Sequence, residues 1–441
     1  MSQVRAQQHN TQMGPVPRLL REPSQGVPDV VDTADGYREC CERLAAASGP
    51  LAVDAERASG FRYGHEDWLI QFKREGAGII LLDPVALSRE NVRWKDFSDA
   101  VSGAEWILHD AKQDLPGFAD LGLVPDALFD TELAARMLGV RRFGLAAVTE
   151  RFLGVTLAKE HSAADWSYRP IPRDWRNYAA LDVELLIDLE RVLGAELRDQ
   201  GKDGWARQEF AHILYVSTHP SPSHKVPWMH ISGFTALGRD RRGQAVARSL
   251  WMVRDELARE HDIAPSLLLP DHAIIEAARV KPHNGREFRA IRSLNERVRV
   301  RTGDDRERMF ARYAPIQRQV RPSVWREAIE RALELPEDEW PSSPSAGDTE
   351  LANAPKSMRV WERHPRRLER LTAARGVVSG IARDTRTPAD VIIKPQIVRN
   401  LCWSDDIDAS DDDSVRVFLT QQGARPWQVD LVGESVRRAI M

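Results

Sequence analysis

Pro50-Leu-Ala-Val-Asp-Ala-Glu56 reads as a β-strand, and it decides how the rest of the chain is read. Side chains alternate across a strand with period two, so Asp54 and Glu56 share one face. Val53 and Ala55 point the other way, into a core. Two carboxylates side by side on an otherwise apolar strand are expensive to bury unless a cation neutralises them. A divalent metal is the simplest neutraliser, and oxygen-only ligands suit magnesium or manganese. Taken alone, an Asp-x-Glu pair is often only a strand end whose acids reach water, so partners must be sought further along the chain.

Three more strands follow: Trp68-Leu-Ile-Gln-Phe72, Gly78-Ile-Ile-Leu-Leu-Asp83 and Trp106-Ile-Leu-His109. Apolar runs of this length, bounded by Gly and Pro, suit a sheet covered on both faces. Asp35 to Ala47, ahead of them, reads as an amphipathic helix. After His109 helices take over. Asp130 is placed to N-cap Thr131–Leu138, and Leu145–Phe152, Trp175–Leu197 and Ala206–Val216 have helical spacing. A mixed sheet flanked by helices predicts an α/β catalytic domain over residues 29–216.

Partners for the first carboxylates lie in two places. In His109-Asp-Ala-Lys-Gln-Asp114-Leu a strand ends and a helix begins; Asp110 is placed to cap that helix, and Asp114, one turn inside, is the better metal-side carboxylate. In Tyr178-Ala-Ala-Leu-Asp182 the four-residue spacing stacks phenol and carboxylate on one helix face. A tyrosine is a poor base at neutral pH, but it can aim a water whose pKa a metal has lowered. Asp54, Glu56, Asp114 and Asp182 together follow the logic of a two-metal phosphodiesterase.

The remainder divides by composition. Residues 1–28 lack periodicity and read as a disordered tail. A Pro/Ser-rich linker at 217–228 implies that the catalytic domain folds without the C-terminal half of the chain. Helical units are expected at 229–335 and 358–441, with a second linker at 336–357. The acidic stretch Asp405–Asp413 reads as a solvated insertion, since no Gly-centred calcium-loop spacing accompanies it. Net charge is −4, yet from Lys281 to Arg326 there are 13 basic residues against 5 acidic ones, a stretch suited to tracking phosphates. Cys40, Cys41 and Cys402 have no metal spacing; adjacent Cys40 and Cys41 suggest one buried and one exposed thiol, and a reducing cytoplasm is the expected location. No apolar run is long enough to span a bilayer, and no secretory leader is visible.

At these residues the sequence resembles the DEDD exonuclease superfamily and, within it, ribonuclease D. Asp54-Ala-Glu56, His109–Asp114 with Leu115, and Tyr178-x-x-x-Asp182 match its three motifs. Tyrosine four before the aspartate, with Asn177 where the other branch has histidine, marks the DEDDy branch. Phe129-Asp-Thr131, Leu157-Ala-Lys159 and Asp165-Trp-Ser-Tyr-Arg-Pro170 look like the same family. Trp251 to His261, with Pro265, Leu269, Pro270 and Asp271, looks like an HRDC module, and the final unit is a weaker match to a second one.

The resemblance implies a ribonuclease H-like α/β fold followed by all-α HRDC-type domains, and two Mg²⁺ or Mn²⁺ ions. It also implies a 3′-5′ exoribonuclease acting on RNA with a free 3′ end, with precursors of transfer RNA as the family habit. Lys159 and Arg169 lie where the family pattern places the active-site mouth, suited to gripping phosphate; the alternative is an ion pair with Asp165 or Glu160. Two rival functions are a DNA-directed exonuclease of the same chemistry and a non-catalytic nucleic-acid-binding protein on the same scaffold.

Overall fold

A computed structural model of the chain describes residues 16–158, 163–219, 226–299, 304–341, 353–405, 407 and 411–441. Strands are numbered along the chain: β1 Arg18–Leu20, β2 Val30–Val31, β3 Leu51–Arg57, β4 Asp67–Arg74, β5 Gly78–Leu82, β6 Glu105–Leu108, β7 Ala127–Asp130 and β8 Val155–Leu157. Among the described residues, six of them form one sheet in the order β2-β5-β4-β3-β6-β7. The β3–β4 and β4–β5 pairs are antiparallel, whereas β2–β5, β3–β6 and β6–β7 are parallel. This is the mixed, helix-covered sheet expected from sequence.

The carboxylate strand β3 lies inside that sheet, between β4 and β6. Val53 pairs with Phe72, and Phe72 packs against Phe97 and Trp106, so one face of β3 is sealed in an aromatic core. Helix Arg173–Glu184 packs on β3, β4 and β5. Its fully buried Ala179 and Ala180 have no side chain beyond Cβ, so the helix can lie close to the sheet. That approach brings Asp182 to the carboxylates of β3. The helix expected from Trp175 to Leu197 is two, Arg173–Glu184 and Leu186–Asp199, separated at Leu185, which takes φ −109° and ψ 2°.

Residues 16–28 are not a disordered tail. β1 pairs in parallel with β8, and the segment then runs along helix Arg173–Glu184. Arg173 pairs with Glu22 at 3.0 Å, Asn177 donates to the Arg21 carbonyl at 2.8 Å, and Ser24 N–H donates to buried Glu184 at 3.1 Å. Backbone pairing over three residues leaves no periodicity in a sequence, which is why the segment reads as a tail. Residues 1–15 of the expected tail lie outside the described residues. Cys40 and Cys41 are both buried, not one buried and one exposed, because helix Ala34–Ala46 packs both into the core that also takes its Tyr37 and Leu44.

Beyond the sheet the two helical units differ in kind. Residues 229–335 have their own core, built on Leu250, Ile274, Trp325 and Ile329. The last unit has none: Trp361, Leu371, Leu401 and Val432 belong to one continuous core with the six-stranded sheet. Helix Asp203–Thr218 is the shared wall. Its buried Glu209 accepts from Arg425 Nε at 2.5 Å and from Trp427 Nε1 at 2.9 Å, and Trp205 stacks on Trp427 at 4.8 Å. Thr387 Oγ1 donates to the Met137 carbonyl at 3.0 Å. This shared packing argues against the expectation that residues 29–216 fold alone. Their surface includes a buried carboxylate and a tryptophan that meet Arg425 and Trp427 of the last unit. Residues 220–225 of the proposed linker at 217–228, and 342–352 of that at 336–357, lie outside the described residues.

Trp427→Ala should destabilise the sheet domain by about 3–5 kcal/mol, since it opens a cavity and removes a donor from buried Glu209. Denaturant unfolding of the full chain, followed by a probe in the six-stranded sheet, measures this. A loss below about 1 kcal/mol would show that the last unit is only attached.

Candidate active site

Carboxylate oxygens of Asp54, Glu56 and Asp182 all lie within 4.8 Å of one another. Among the described residues none of the three pairs with a lysine or arginine. Burial pushes all of them up: Asp54 and Glu56 rise well above the usual carboxylate range, and Asp182 rises to about 7. At Asp54 the next causes are the charges of Asp114, Asp182 and Glu56. Three hard oxygen donors crowded against their own repulsion fit a divalent cation, whose charge reverses that electrostatic penalty.

Asp114 stands beside this group without joining it. The helix begins at Leu115, so Asp114 is its N-cap residue rather than one turn inside, and it makes no capping bond. Its Oδ1 instead accepts from Arg57 Nη2 at 2.8 Å. Burial pushes Asp114 up to about 6 against the pull of Arg57. The same guanidinium places Nε 2.9 Å from Asp67, the first residue of β4. Burial raises Asp67 to about 7 despite that contact. Asp110 does not cap the helix either; it takes φ 63° and accepts from the Gln113 side chain.

Tyr178 lies one turn before Asp182 and is half-buried. Burial, then the charges of Asp182, Glu56 and Asp54, hold its hydroxyl above the usual phenol range. It stays protonated and can only donate or accept hydrogen bonds, not act as a phenolate base. Trp166 packs against its ring at 6.2 Å and fixes the ring's tilt.

Arg169 is not free to grip phosphate. Its Nε donates to Asp83 at 2.5 Å, Nη1 to the carbonyls of Trp166 and Tyr168, and Nη2 to that of Trp68 at 2.7 Å. All three nitrogens are engaged, Nη1 within the loop itself and Nε and Nη2 in tying it to Asp83 and Trp68, so its role there is structural. Nor does it pair with Asp165. That residue is fully buried and accepts from Arg312 at 2.8 Å and Tyr313 at 2.9 Å, both of the first helical unit. Lys159 lies outside the described residues. Sequence reasoning missed Arg57, Asp67, Arg312 and Tyr313. An arginine directly after Asp-x-Glu was visible, but the partners it would find were not.

A family model described as 3′-5′ exonuclease matches residues 28–198, one described as HRDC domain matches 243–305, and one described as 3′ to 5′ exonuclease C-terminal domain matches 354–440. Ribonuclease D of Bartonella henselae is 27% identical over 221 residues, covering 49% of this chain and 53% of that protein. The chain thus spans about half the length of that curated relative, and 64–66% of the lengths of the next three. A protein from Bifidobacterium adolescentis of known crystal structure is 60% identical, with TM-score 0.89, covering 96% of this chain and 99% of that one. Escherichia coli RNase D shares the fold at 21% identity, with TM-score 0.59 over 93% of this chain and 98% of that one.

The carboxylates predict a pH dependence. Asp182 is raised to about 7 from an ordinary 3.8, and Asp114 and Asp67 to about 6 and about 7. The folded state therefore holds protons that the unfolded chain has lost, and their contribution to stability falls as pH rises through about 7. Metal-free protein should melt lower at about pH 8 than at about pH 5.5, and Mg²⁺ should raise melting more at the higher pH. Asp182→Asn should flatten both trends. Equal Mg²⁺ stabilisation at both values would contradict the charge arrangement.

Proposed function

We propose that this chain, which belongs to the ribonuclease D family of 3′-5′ exonucleases, removes nucleotides one at a time from RNA with a free 3′ end. The observation that carries the reading is the convergence of Asp54, Glu56 and Asp182, with Tyr178 beside them. Phosphodiester hydrolysis needs water to attack phosphorus while the bond to the 3′ oxygen breaks, and it releases a nucleoside 5′-monophosphate. Two divalent ions, Mg²⁺ or Mn²⁺, would neutralise the scissile phosphate, stabilise the departing 3′ oxygen and lower the pKa of the attacking water. Asp54, Glu56 and Asp182 would hold one ion, and Asp54 with Asp114 the second.

The remaining work falls to the chain itself. Tyr178, kept protonated, orients the attacking water by hydrogen bonding. Trp166 keeps the phenol in place and excludes bulk water from one side. Residues 229–335, an HRDC-type unit, and 358–441, a second HRDC-like unit, would gather the RNA ahead of its 3′ end. Around the first unit Arg297, Arg318 and Arg321 line a cleft, drawn from the basic stretch read in sequence. Substrates of this design are structured RNAs with short 3′ extensions, transfer-RNA precursors among them. The three cysteines, all buried and free, suit a reducing cytoplasm. Among the described residues no helix is long and apolar enough to cross a membrane.

Asp54→Ala should lower turnover at least ~10³-fold with RNA binding retained. Near-normal turnover at saturating Mg²⁺ would refute the metal assignment. Tyr178→Phe should lower turnover by about 10²–10⁴-fold and leave Mg²⁺ affinity and melting within a few degrees of wild type. A threefold change in turnover with a large drop in melting would make the tyrosine structural. Digesting matched strands ending in a 3′-ribose or a 3′-deoxyribose, with products sized at nucleotide resolution, tests the substrate. Faster turnover of the 3′-deoxyribose end would move the enzyme to DNA.

A further inference from the structure

We propose that Arg57 is the resident cation of the second-ion position: it holds Asp114 until a divalent ion takes that carboxylate, and Asp67 keeps the guanidinium when Asp114 is released. The inference rests on the two-metal reading of the site and deepens it. Its starting point is a buried charge set that lies beside the Asp54, Glu56 and Asp182 cluster but is not part of it. Arg57 bridges two carboxylates, with Nη2 2.8 Å from Asp114 and Nε 2.9 Å from Asp67.

The two carboxylates are not equivalent. Asp114 accepts an aligned hydrogen bond from the guanidinium. Asp67 makes only an ion contact: neither of its oxygens has an aligned hydrogen-bond partner, although the residue is just 5% exposed. A buried carboxylate in that state is under-satisfied, and it gains most from a guanidinium that turns toward it. Room for it is built in. A Cβ on Gly117, in the helix that follows Asp114, would collide with Asp67 Oδ2, so only glycine leaves the carboxylate its place. Strand pairing sets the reach: Arg57 lies directly opposite Asp67, across the register shift after Glu56.

Asp114 therefore has two competing cations. In the ion-free site it belongs to Arg57. A second ion between Asp54 and Asp114 must break that pair, which weakens its apparent affinity by the fraction of time Asp114 is free. An ion held by Asp54, Glu56 and Asp182 faces no such competitor. Ions would then bind in sequence, and the second would be retained mainly when a phosphate adds its own charge to the site. Asp67 prevents the displaced guanidinium from approaching that phosphate at random, because it keeps the Nε side of the fork anchored.

Manganese binding by the full chain without RNA, counted by electron paramagnetic resonance, tests this. Wild type should bind one Mn²⁺ tightly and a second at least ~10-fold more weakly. Arg57→Gln combined with Asp67→Asn removes the cation and its buried counter-charge together, and should tighten the second ion by about that factor while leaving the first unchanged. Adding Asp114→Asn should return the count to one. Arg57→Lys, which keeps the charge, should leave the second ion weak. Two equally tight ions in wild type, or a second ion unmoved in the double variant, would overturn the inference alone; no bound Mn²⁺ would overturn the metal reading beneath it. Should the double variant not fold, wild-type crystals soaked at rising Mn²⁺ decide. The pair Arg57–Asp67 must persist as Asp114 turns to the ion, and a second ion bound with Arg57–Asp114 intact refutes the exchange.

Discussion

Repulsion among buried carboxylates is the constraint on which the rest of this structure depends. Asp54 and Glu56 cannot leave the middle of the sheet, because Leu51, Val53 and Ala55 on the same strand are committed to the core. Asp182 cannot retreat, because Ala179, Ala180 and Val183 seat its helix on that sheet. Apolar packing thus holds together charges that would otherwise separate. The free energy of the packed core opposes the electrostatic penalty, and a site of this kind is pre-organised for positive charge before any arrives.

Around that centre the chain uses its cations sparingly and mostly as fasteners. Arg169 binds a loop to the sheet, Arg57 bridges two acids, and Arg312 reaches from the first helical unit to buried Asp165. Asp165 precedes Trp166, which packs on Tyr178, and Phe61 from the loop after β3 stacks on Phe310 of the same helical unit. The first helical unit therefore touches both loops that border the carboxylates. Its position and theirs are mechanically linked through side chains, not through the backbone connection alone.

How much of this was legible depended on the range of the forces involved. Period two placed Asp54 and Glu56 on one face, and period four placed Tyr178 with Asp182; both are local rules, and both described the site geometry well. Asp114 is legible by its place after a strand, yet it is the helix N-cap and not one turn inside, because the residues after Asp110 form a turn rather than a helix. Asp67 lies 10 residues from its partner Arg57, Asp83 86 from Arg169, and Tyr313 148 from Asp165, and no local pattern encodes such pairs. Nor did composition reveal that residues 353–441 share a core with the sheet. Small helices with polar faces read as separate units, whereas Trp427 and Arg425 are aimed at Trp205 and Glu209 only in three dimensions.

That shared core has a consequence for how the molecule is made. A ribosome delivers the exonuclease strands early and helix Pro426–Ile440 last. At about 5–20 residues per second, the roughly 220 residues after the helix Asp203–Thr218 take on the order of 10–45 seconds to emerge. Throughout that interval Trp205 and Glu209 face the solvent or a chaperone instead of Trp427. Until the distal helices arrive, the face that carries Trp205 and Glu209 lacks the tryptophan and arginine that complete its core.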